Sequence, residues 1–83
     1  STYLKIYSIL PQQTLSKNGK DIKYQVLKGY SSNRLIDVTI WNAEIETSSF
    51  LNHWVLFEGM KIKKITENKF VLISTVFTKM SLC

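Results

Sequence analysis

The chain has 83 residues, 45% of them hydrophobic, and eleven Lys and Arg against six Asp and Glu give a net charge of +5. That length holds one domain, read as residues 1–83. No stretch approaches the roughly 20 apolar residues of a membrane-spanning helix, and a single cysteine, Cys83, leaves no partner for an internal disulfide.

Residues 3–10 alternate as a strand does, with Leu4, Ile6, Ser8 and Leu10 on one side and Tyr3, Lys5, Tyr7 and Ile9 on the other. Pro11 lacks the amide that a central ladder needs and marks a bulge or an edge, after which residues 12–15 resume extended structure. Asn18 and Gly19 both accept positive φ, the requirement of a tight hairpin, so a second strand over 22–28 folds back on the first. A turn-prone stretch, 29–33, leads into a third strand over 35–42. Its alternation sends Ile36, Val38 and Ile40 to a core and aims Asp37, Thr39 and Trp41 outward.

Residues 43–46 are helix-compatible, and Thr47, Ser48 and Ser49 suit the cap of a short helix over 50–53, so one or two helical turns are expected within 43–53. The apolar run 54–57 reads as a buried strand, Gly59 as a bend, and Lys61, Lys63 and Lys64 as a cationic side opposite Met60, Ile62 and Ile65. A polar turn at 66–68 and a run rich in Val, Ile, Thr and Phe over 70–80 make a second hairpin. The fold class expected is all-β, five strands with a short helix between the third and fourth.

Groups for catalysis are sparse. A Ser or Cys nucleophile needs an activating base, His53 is the sole histidine, and Cys83 lies at a terminus. One Cys and one His do not make a structural zinc site. Glu44 and Glu46, two apart, diverge on a helix and read as a solvated face, with Glu58 beyond them. No second glycine follows Gly59 to build a phosphate loop. The expectation is a non-enzyme with no cofactor and no metal.

Two segments resemble a known family. Residues 30–42, ending Ile40-Trp41-Asn42, resemble the stretch around the third strand of the single-strand DNA-binding domains of replication protein A and of the simple archaeal single-strand binding proteins. Residues 54–70 resemble their fourth strand and following hairpin, at a similar distance along the chain. The likeness departs at Gly29-Tyr30, where the family usually carries an acidic residue, and in the brevity of the chain. It implies an OB-fold Greek-key barrel that binds oligonucleotides across its second and third strands. It also implies that aromatics ending the third strand and opening the fifth, here Trp41 and Phe70, stack on bases.

The remaining aromatics divide. Phe50, Phe57 and Phe77 read as core or plug, and Tyr24 and Trp54 fit either role. Around Trp41, Thr39 and Phe70, the cations Lys17, Lys20, Lys23, Lys28, Arg34, Lys61, Lys63 and Lys69 fall where such a barrel has its groove, and lysines in place of arginines suit phosphate attraction better than reading of base edges. The function expected is binding of single-stranded DNA with little sequence preference, in replication, recombination or repair. The alternatives are RNA binding, or a protein-interaction module of a larger nucleic-acid-processing complex using Tyr3, Tyr7 and Ile9. The composition and lone cysteine suggest an intracellular setting, cytoplasmic or nuclear, away from membranes.

Overall fold

Two tight turns organise the first half of the molecule. A computed structural model describes residues 2–42 and 46–83. In it β2 (Gln13–Lys17) and β3 (Lys20–Ser31) are joined through Asn18 and Gly19, at φ 53° and 76°. Ser32 and Asn33, at φ 47° and 68°, join β3 to β4 (Arg34–Trp41) in the same way. Positive φ at both central residues matches the right-handed twist of the flanking strands, which keeps each hairpin in register. The turn expected over 29–33 is therefore shorter, and Gly29 and Tyr30 continue β3. A Cβ at Gly29 would meet Leu4 Cβ, Ile6 Cδ1 and the Lys5 carbonyl, each at 3.1 Å, because the neighbouring strand passes that close.

That neighbour is β1 (Thr2–Ile9), which pairs antiparallel with β3 on one side and with β5 (Trp54–Glu58) on the other. Its register against β3 shifts between Ile6 and Ser8, a bulge that inserts one residue. The predicted alternation holds through Ile6. Beyond the bulge the faces exchange, so Ile9 packs against the core while Ser8 lies opposite Lys28. Pro11 sits in the link between β1 and β2, where no ladder amide is required.

The chain continues through β6 (Lys61–Thr66), β7 (Lys69–Ile73) and β8 (Lys79–Leu82). One sheet results, ordered β6-β7-β4-β3-β1-β5-β8, with β2 added on β3; β4 and β7 run parallel and the other pairs antiparallel. Gly59 and Met60 carry β5 directly into β6 although the two lie far apart in that order, so the sheet curls around its apolar side. Leu4, Ile6, Leu27, Ile36, Val38, Ile40, Val55, Phe57 and Leu72 fill the interior with Phe50. Burial of such side chains contributes roughly 1.5–3 kcal/mol each.

Eight strand segments are described where the pattern suggests five strands. The extra breaks fall at Pro11, at Gly59 and at residues 74–78. The run 54–57 is buried only at Val55 and Phe57, with Trp54 exposed, so it alternates rather than lying between two layers. Phe77, expected in the core, is 78% exposed on the 74–78 loop, because the chain leaves the sheet after Ile73.

Between β4 and β5 the described structure is a single 3₁₀ turn, Ser48–Phe50, in place of the expected α-helical turns; residues 43–45 of that expectation lie outside the described residues. Thr47 precedes the turn without capping it. Its buried hydroxyl instead donates to Gln25 Oε1 at 2.8 Å, and the Gln25 amide donates to the Leu10 carbonyl at 3.1 Å, tying three segments together. The Ser48 N–H is accepted by the Glu46 carboxylate at 2.9 Å. No helix among the described residues is long and apolar enough to cross a membrane.

Candidate nucleic-acid interface

In a sheet, residues directly opposite each other on neighbouring strands point to the same face. With Ile36, Val38 and Ile40 inside, the odd-numbered residues of β4 and their partners form the outer face, and the register resolves it into rows. Trp41 lies beside Tyr24 and Gln13. The next row runs Lys61, Ile73, Thr39, Val26, and the one after it Lys63, Val71, Asp37, Lys28, Ser8. The last runs Lys69, Leu35, Tyr30, Lys5, Trp54.

Aromatic rings occupy both ends of this face. The Tyr24 and Trp41 rings lie 4.9 Å apart at 39°. At the other end Tyr30 stands between Tyr7, at 6.2 Å, and Trp54, at 6.2 Å and edge-on. Tyr30 lies six residue steps along β3 from Tyr24, about 20 Å of strand at ~3.3 Å per residue. Trp41, Tyr7, Tyr30 and Trp54 are all exposed, and a ring with an open π-face accepts a base of any identity.

Cations flank the interval: Lys61 and Lys63 along one side, Lys5 and Lys69 in the far row, and Lys28 in the middle, where it pairs with Asp37 at 3.8 Å. A cleft of about 340 Å³ opens among Tyr7, Lys28, Leu35, Asp37 and Lys69, walled by Asn33 and Asn68 of the adjacent turns and by Thr66 at the end of β6. Alternation also puts Lys17 and Lys20, opposed at the tip of the β2–β3 hairpin, on the Tyr24 side. Their hairpin stands clear of the core, with every residue of β2 exposed.

The geometry does not unite all the predicted site residues. Phe70 lies opposite Ile36 on the inner side, is half-buried, and packs against the core. Arg34 shares that side, its guanidinium carbon 5.0 Å from the centre of the Phe70 ring. The pair covers the rim of the interior near Ile62 and Leu72 and does not share a face with Trp41. The expectation of two outward platforms fails at Phe70 because the parallel pairing of β7 with β4 puts Leu35, not Ile36, beside Lys69. Lys23, directly before Tyr24 on the same strand, points away from it. Conversely Tyr30 and Lys5 belong to the face although the sequence reading did not single them out for nucleic acid, and Tyr7 and Trp54 belong to it as well. The bulge at Ile6–Ser8, which leaves Tyr7 exposed and sets Ser8 opposite Lys28, has no local sequence signal. Tyr3 and Tyr7 are exposed as the protein-partner alternative requires, but Ile9 is turned inward.

No protein-family model matches the chain, and no curated protein matches it. Among the described residues no group of three or more His, Cys, Asp or Glu side chains is placed to hold a metal ion. His53 is exposed in the approach to β5, where its backbone carbonyl accepts the Ile6 N–H at 3.0 Å.

Proposed function

We propose that this chain is a non-catalytic module that binds single-stranded DNA with little sequence preference, and that its sheet is an OB-type barrel with β1 and β2 as one bent first strand. Support for the barrel comes from the antiparallel run β1-β3-β4, the parallel return of β7 beside β4, and the pairing of β5 back onto β1. The observation that carries the function is the outer face: two exposed aromatic groups joined by an interval lined with lysines. Lysine neutralises phosphate without a rigid hydrogen-bond fork, and stacking is indifferent to base, so the surface favours a flexible strand over a specific site. A duplex keeps its bases stacked inside and presents none to Trp41 or Tyr30. We place the activity within replication, recombination or repair, in the cytoplasm or nucleus.

The test is a fluorescence titration with oligo(dT), oligo(rU) and duplex of equal length at two salt concentrations. Tighter binding of oligo(dT) than of duplex, with quenching of tryptophan emission, is expected. Equal or tighter binding of duplex overturns the proposal, and preference for oligo(rU) reassigns it to RNA. Failure to bind any oligonucleotide at low salt leaves the protein-interaction reading, which the exposure of Tyr3 and Leu35 favours.

A further inference from the structure

Residues 74–78 leave the sheet between β7 and β8 and hold two apolar side chains in water, Val76 at 92% and Phe77 at 78% exposure. Hydrogen bonds hold this loop in one shape. Thr75 Oγ1 donates to the Gly59 carbonyl at 2.6 Å and accepts the Phe77 N–H at 3.1 Å, while Thr78 Oγ1 accepts the Thr75 N–H at 2.7 Å. The loop backbone rests on Gly59, at φ 70°, so closely that a Cβ there would overlap the Phe77 carbonyl. Its first residue is tied to the proposed interface: the Trp41 N–H donates to Ser74 Oγ at 2.8 Å, and the Ser74 N–H to the Thr39 carbonyl at 2.9 Å.

Between this loop and the strand end lies a cleft of about 290 Å³ lined by Trp41, Asn42, Ser74, Thr75 and Val76. Its lining combines the aromatic Trp41 and the aliphatic Val76 with the polar Asn42, Ser74 and Thr75. Lys61 stands on the outer face opposite Ile73, directly before the loop. We propose that this cleft receives the nucleotide next to the one stacked on Trp41, and that Phe77 provides a further stacking surface, so that the single strand runs past the end of the sheet onto the loop. The inference rests on the single-strand reading above. A nucleic acid is favoured over a protein segment here because the cleft is lined by Trp41 together with the polar residues Asn42, Ser74 and Thr75, and Lys61 stands on the same outer face of the sheet opposite Ile73.

The test compares the native chain with a Val76→Ser/Phe77→Ser variant in titrations with oligo(dT) and oligo(rU), and follows both with photocrosslinking of the native chain to 5-iodouracil oligonucleotide. The variant is expected to lose about 5- to 150-fold in affinity, the range for one lost stacked base, while tryptophan quenching at saturation persists. A crosslink is expected in the peptide holding Val76 and Phe77. If the native chain binds but the variant binds equally well, the loop proposal falls, the single-strand reading stands, and the loop is left as a protein contact. If the native chain binds no oligonucleotide, both readings fall. Should the variant not fold, the crosslink decides: adducts confined to Trp41, Tyr24 or Tyr30 overturn the proposal.

Discussion

Tyr24 and Trp41 lie directly opposite each other on β3 and β4, and their rings meet 4.9 Å apart on the outer face of the sheet. The two rings pack against each other, tilted by 39°. Trp41→Ala is expected to weaken oligo(dT) binding by about 1–3 kcal/mol with the fold retained. Tyr24→Ala should weaken it too, and the double variant should lose less than the sum of the two, since the rings act as a unit. Titration of the four proteins checks this; full additivity would mean that Tyr24 binds independently of Trp41.

Arg34 and Phe70 should behave differently. Phe70 is half-buried against the core, so Phe70→Ala should lower unfolding stability by on the order of 2 kcal/mol, less than the cost at a fully buried Phe. Its oligonucleotide affinity, measured where the variant is folded, should stay within about threefold of the native value, a difference below 1 kcal/mol. An affinity loss equal to that of Trp41→Ala, with unchanged melting temperature, would put Phe70 in the binding surface.

Salt dependence separates the two faces. For single strands log K falls with log salt by about 0.7 per phosphate contact. Replacing Lys61 and Lys63 by Ala should flatten the slope by about one unit or more if each holds one phosphate. Lys23→Ala, on the opposite side of β3 from Tyr24, should leave it nearly unchanged. Matching slopes for the two variants would show diffuse attraction with no defined path.

Gly59 joins β5 to β6 at φ 70° with the Phe77 carbonyl seated against it. Gly59→Ala must both enter the left-handed region and push the loop away, so a loss of more than about 1 kcal/mol of stability is expected in a denaturant melt. Gly19→Ala is the control. It shares the positive φ but has open space around it, and its cost should be the smaller.

Glu46 links pH to the 3₁₀ turn. The Ser48 backbone N–H, helped by the Ser48 hydroxyl and the Thr47 N–H, holds its carboxyl below the ordinary glutamate value of 4.5. A carboxyl lowered on folding stabilises the native state above its unfolded pKa, and that contribution disappears as pH falls through the lowered folded value. NMR titration should find Glu46 protonating below the ordinary glutamate value of 4.5, and Glu46→Gln should remove that part of the acid dependence of melting. A Glu46 midpoint at or above 4.5 would contradict the contact.

How much of this was legible beforehand varies by element. The Asn18-Gly19 hairpin and the burial of Ile36, Val38 and Ile40 follow from local chemistry, because positive φ and period-2 alternation act within a few residues. The absence of a spanning apolar run and the excess of lysine are likewise properties of the chain itself. What tertiary structure alone decided is which outward residues share a face. The bulge after Ile6 exchanged Ser8 and Ile9, and the parallel register of β7 on β4 turned Phe70 inward and Lys69 outward. Departure of the chain from the sheet after Ile73 put Phe77 in water. A one-residue shift reverses every side chain beyond it, and such shifts are set by how distant strands pack, so no local pattern in the sequence records them.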